Sequence, residues 1–118
     1  MAGTSGVSVR IVVRRSDVPQ YRAAVDAGLR RIVASRGFDV EARAKQLVPV
    51  LTGTLRRSIH TVLSESGLRA TIGPSVRYGV HIEYGTRHMA ARPYMRPAHA
   101  LIAPRVVDDV RRLLRGAV

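Results

Sequence analysis

At 118 residues, with eight acids against twenty Lys and Arg, the chain carries a formal net charge of +12. It has no cysteine, which excludes a disulfide framework and any thiolate nucleophile or metal ligand. A hydrophobic share of 46% suits one globular domain, and only 4% aromatic residues leaves a core to be built from Val, Leu, Ile and Ala.

Residues 1–6 (MAGTSG) are small and polar and read as a flexible N-terminus, with 7–118 as a single domain. In "VSVRIVV", Val7, Val9, Ile11 and Val13 alternate with Ser8 and Arg10, which predicts a strand over 7–14. The same alternation and its arginines argue against a signal-peptide core, and no apolar run approaches the roughly 20 residues of a membrane span.

"SDVPQ" (16–20) carries helix-start chemistry, with Ser16 or Asp17 as cap and Pro19 in the first turn. Val25, Leu29, Ile32, Val33, Val40, Ala44, Leu47 and Val48 then follow at helical spacing. Gly37 falls on this stripe. The reading is one long helix with a close-packing or kink point there; two helices meeting at Gly37 is the alternative. Pro49 ends it.

"LTGTL" (51–55) reads as a turn around Gly53. Ile59, Thr61 and Leu63, then Leu68, Ala70 and Ile72, predict a β-hairpin, 56–63 with 68–73, closed by "SESG". The stretch 78–84 fits either period: Tyr78, Val80, Ile82 and Tyr84 alternate, yet Tyr78/Ile82 and Val80/Tyr84 are also i,i+4 pairs. Gly85 stops either element, and 86–97 reads as a loop punctuated by Pro93 and Pro97. From Ala98 a last helix carries Leu101, Ile102, Val106, Val110, Leu113 and Leu114 on one stripe, with Pro104 in its first turn or at a kink. The fold class is α+β: a long N-terminal helix and a C-terminal helix packed on a small antiparallel sheet.

Catalytic patterns are missing. No His-x-x-x-His pair, Gly-x-Ser-x-Gly elbow or Gly-rich phosphate loop occurs, and "HIE" at 81–83 lacks the cysteines of a zinc deaminase. Ser58 and His60, two apart, read as a solvated strand face. No metal and no cofactor is implied. The bases are arginine except for Lys45, and they lie in nearly every segment rather than in one patch. That pattern fits non-specific contact with nucleic acid better than a dedicated DNA-binding protein, which stays open as a rival of a different class. Seven of the eight acids fall at helix or turn positions that read as surface. Glu83, between Ile82 and Tyr84, reads instead as a carboxylate paired with Arg92 or Arg96.

Three phrases occur in order: "AKQLVPVLTGTLRRSI" (44–59), "YGVHIEYGT" (78–86) and "ARPYMRPA" (91–98). Together they resemble the neck and tail-completion family of long-tailed bacteriophages, similar to the lambda-type minor tail protein Z group. The likeness spans about residues 20–115. Leu51 and Gly79 depart from the family, which often has an acid or small polar residue and an alanine there. Strand 7–14 is less typical of it.

The resemblance implies a virion structural protein without catalysis: a hexameric ring that joins the filled head to the tail and lines the DNA passage. Its partners would be further copies of itself, the head-closure and tail-terminator proteins, and DNA held non-specifically, with no membrane. Tail terminator or head-closure protein is the neighbouring alternative. A short helix over 78–84 is also implied. The motif positions to which it assigns folding and assembly are Thr52, Gly53, Leu55, Arg56, Tyr78, Glu83, Tyr84, Gly85, Thr86, Arg92, Pro93, Tyr94, Met95, Arg96 and Pro97. Met89, Tyr94 and Met95 look exposed and able to anchor a neighbouring copy.

Overall fold

The computed structural model describes residues 7–14, 23–49 and 53–116. In chain order the elements are β1 (Val9–Val12), α1 (Ala23–Leu47), α2 (Thr54–Ser58), β2 (His60–Leu63), β3 (Arg69–Gly73), α3 (Tyr78–Tyr84) and α4 (Met95–Gly116). This is an α+β fold with a three-stranded antiparallel sheet in the order β1-β3-β2. The helix-start signal at 16–20 and Thr52 lie outside the described residues.

One face of the sheet is apolar because the strands alternate. Ile11 lies opposite Ala70, and Ala70 opposite Leu63; Val9 lies opposite Ile72, and Ile72 opposite Thr61. These side chains point at α1. On the other face Arg10, Val12, Val62 and Arg69 are exposed.

Helix α1 is continuous through Gly37. Its buried stripe runs Val25, Leu29, Val33, Gly37, Val40, Ala44, at steps of three and four. A Cβ at Gly37 would stand 2.9 Å from the Ala70 methyl and 3.3 Å from Thr61 Cγ2. Gly37 is thus the point where α1 lies directly on the sheet, not a break. Thr61 Oγ1 lies 3.4 Å from the Gly37 carbonyl and donates to Glu41 Oε1 at 3.0 Å, so the contact is polar at its rim.

Helix α4 packs antiparallel along α1: Leu113 covers Gly28, and Asp109 takes Arg36 by both carboxylate oxygens at 2.6 and 3.1 Å. These bonds hold the Asp109 carboxyl below its usual range and raise the Arg36 guanidinium above its ordinary value. The tie joins residues 73 positions apart, and periodicity gives no hint of it.

Several expectations are corrected. Residues 54–58 form α2, so the hairpin has a shorter first strand: Gly53 takes φ 76°, and Ser58 Oγ donates to the Leu55 carbonyl at 2.8 Å. Ser58 therefore ends a helix instead of sharing a strand face with His60, which meets only its carbonyl, through Nδ1 at 2.9 Å. Helix α4 begins at Met95, before Ala98, with Pro97 in its first turn. Pro104 lies inside the helix on its exposed side, where water can serve the carbonyl left without a donor. Leu101 is 42% exposed and leaves the stripe, and Asp26 is buried and paired with Arg30 one turn on.

Gly37→Leu is expected to lower the melting temperature. Overpacking costs about 1–3 kcal/mol, which outweighs the roughly 1 kcal/mol of helix propensity gained on replacing glycine. Thermal unfolding followed by circular dichroism checks this; a raised midpoint would mean that α1 does not rest on the sheet at Gly37.

Candidate assembly site

The three motif phrases converge on one place. The stretch 78–84 is helix α3, which buries Gly79, Ile82 and Glu83 and exposes Tyr78 and Tyr84. A Cβ at Gly79 would lie 3.2 Å from Leu55 of the first phrase and 2.8 Å from the Tyr94 hydroxyl of the third. It would also meet Pro74 Cγ at 2.7 Å. Gly79 is therefore not interchangeable with alanine in this chain: the close approach lets the Tyr94 hydroxyl donate to the Gly79 carbonyl at 2.8 Å. Burial pushes the Tyr94 phenol well above its ordinary value, and the Glu83 charge adds to the rise.

Glu83 is fully buried. Its Oε1 accepts the backbone N–H of Tyr94 at 3.1 Å and of Met95 at 2.7 Å. Its Oε2 accepts the N–H of Arg96 at 3.4 Å and the Arg96 Nε–H at 3.3 Å. Residues 94–96 are the entry to α4, where a helix leaves its first N–H groups without internal partners. A negative charge there is favourable. Pro93 and Pro97 bracket these three donors, and neither has an N–H to satisfy. "RPYMRPA" is thus a helix start whose cap comes from another helix.

The rest of the loop holds this geometry. Gly85 takes φ 78°, and a Cβ there would lie 2.8 Å from Ala91 N and 2.9 Å from the Met89 carbonyl oxygen. Thr86 and Met89 exchange backbone bonds at 2.9 and 3.2 Å, and Arg92 N–H donates to the Ile82 carbonyl at 2.8 Å. Arg96 lies over the Tyr84 ring, 4.8 Å from its centroid. Arg56 Nε–H donates to the Lys45 carbonyl at 3.0 Å, which fastens α2 to the end of α1.

Two expectations change here. Of the two candidate arginines, Arg96 pairs with Glu83, while Arg92 contributes its backbone to the loop and exposes its side chain. Tyr94 and Met95 are fully buried, so they are core anchors and not contacts for a neighbour; Met89, at 39% exposure, remains on the surface. Tyr94 and Met95 also show that the core is not purely aliphatic. Among the described residues no group of three or more His, Asp and Glu is placed to hold a metal ion.

Glu83→Gln is expected to destabilise the chain by about 3 kcal/mol, because buried donors left unsatisfied cost about 1–3 kcal/mol each. Arg96→Ala should cost less than about 1 kcal/mol, since the guanidinium is 57% exposed and solvent screens the pair. Glu65→Gln, on the hairpin turn, should stay within about 0.5 kcal/mol. Urea unfolding of the three variants ranks them; Arg96→Ala equalling Glu83→Gln would make the ion pair, not the cap, the main term.

Residues 16–85 match a family model described as "Bacteriophage HK97-gp10, putative tail-component". No curated protein and no solved structure gives a significant match. The matched span includes Gly37, Leu55, Gly79 and Glu83 and ends at the Gly85 turn, just before the helix start that Glu83 caps. As the match covers more than half of the 118 residues, the chain belongs to this HK97-gp10-like family of bacteriophage tail components.

Proposed function

We propose that this tail component is a neck or tail-completion protein: a virion structural subunit, without catalysis, that forms a ring joining the DNA-filled head to the tail. The observation that carries this reading is the family match over 16–85, completed by the third phrase, which folds onto the first two through Glu83 and Tyr94. The ring would be hexameric, meet head-closure and tail-terminator proteins on its two faces, and let DNA pass through its lumen. Exposed arginines on every strand and helix but α3, among them Arg10, Arg31, Arg57, Arg69 and Arg111, suit weak contact with phosphate and no sequence readout. The family's description as a tail component favours the tail side, so tail terminator is the second reading.

Native mass spectrometry of the purified protein, alone and mixed with tails, tests the ring. The expected species is a closed homo-oligomer or a stoichiometric complex with tails. Monomer under all conditions, together with virions that lack the protein, would overturn the reading.

A further inference from the structure

The sheet has two edges, and only one is closed. The Val13 N–H bonds the Leu68 carbonyl, and the Ser64 N–H bonds the Arg69 carbonyl, at 2.9 Å each, which fixes the alternation on both sides of β3. Arg10 and Val12 turn their backbone groups away from β3 along the β1 edge. There α4 covers them in part: His99 Nε2 lies 3.2 Å from the Arg10 carbonyl oxygen. On the β2 edge Thr61 and Leu63 turn theirs outward, and nothing among the described residues meets them. The strand reads His-Thr-Val-Leu. It has no lysine, proline or bulge of the kind that blunts an open edge. Val62 is 37% exposed, Leu63 40%, and Phe38, next to the Gly37 packing point, 52%.

Acids flank this apolar edge, although the chain has few. Glu41 bonds Thr61 Oγ1, and Glu65 follows in the hairpin turn with no partner among the described residues. A complementary segment stands elsewhere on the molecule. Residues 86–93 are exposed without interruption, carry Arg87, His88 and Arg92, and contain no acid. Ala90 and Ala91 in this loop have backbone groups with no partner within the described chain.

We propose that the open β2 edge receives the 86–93 loop of a second copy as an added antiparallel strand. This rests on the ring reading above and names its contact. With Leu63 opposite Ala90, the pairing sets Glu65 beside His88 and Arg87 and Glu41 beside Arg92. Backbone bonds supply the attraction and the charges fix the direction. Two β2 edges facing each other would oppose acid to acid. The contact is therefore heterologous, one patch on a different patch, and such contacts build rings.

The absence of native cysteine allows a clean test in the full-length protein. Leu63→Cys and Ala90→Cys, made separately, mixed and oxidised, should give a mixed disulfide as the main adduct. Its yield should fall several-fold when the Leu63→Cys chain also carries Glu65→Arg, and recover when the Ala90→Cys chain carries Arg87→Glu. Circular dichroism confirms that each variant is folded. Predominance of Leu63→Cys homodimers would overturn the proposal in favour of a two-fold contact. Rings of the expected mass without the mixed disulfide would overturn it while leaving the ring reading intact. No oligomer even with tails would remove both.

Discussion

One buried carboxylate organises the C-terminal half of this molecule. Glu83 has no exposure and accepts three backbone N–H groups at the start of α4. A carboxylate placed there would be costly if those donors were absent, and the donors would be costly without it. Each therefore requires the other, and α3 must sit where it does. Gly79 follows from this constraint, because the helix carrying Glu83 has to approach Tyr94 and Leu55 more closely than a Cβ permits. Gly85 follows as well, because the chain must turn sharply to bring residues 94–96 back to a residue eleven to thirteen positions earlier.

The arrangement has a consequence for assembly. With Tyr94 and Met95 drawn into the core, the residues between Gly85 and Pro93 are left as a short exposed arm that starts and ends on fixed points. Its ends are held by the Arg92 bond to Ile82 and the Thr86–Met89 bridge. An arm so anchored loses little conformational entropy on docking, which favours a specific contact over a diffuse one. The Arg36–Asp109 tie does similar work at the far end, holding α4 along α1.

Much of this was legible in the sequence. The α1 stripe, the packing role of Gly37 and the inward faces of Ile11, Ala70 and Ile72 follow from period alone. Glu83 stood out because it was an acid in an apolar segment, and Arg96 was one of two partners named for it. What stayed hidden depends on contacts distant in sequence. Seven residues over 78–84 satisfy two periods, and only the capping role of Glu83 selects the helix. Tyr94 and Met95 resemble surface anchors until the hydroxyl finds the Gly79 carbonyl. The α2 turn was missed because "TLRRSI" has strand-like spacing, while Gly53 and the Ser58–Leu55 bond close a helical turn over it.

The direct test of the Glu83 account is amide hydrogen exchange, resolved by residue, in the wild-type chain and in Glu83→Gln. If the carboxylate holds the start of α4, the amides of Tyr94 and Met95 should exchange as slowly as those at the centre of α1. In the variant they should speed up together while the α1 amides keep their protection. Fast exchange at Tyr94 and Met95 in the wild type, or an unchanged rate in the variant, would contradict it.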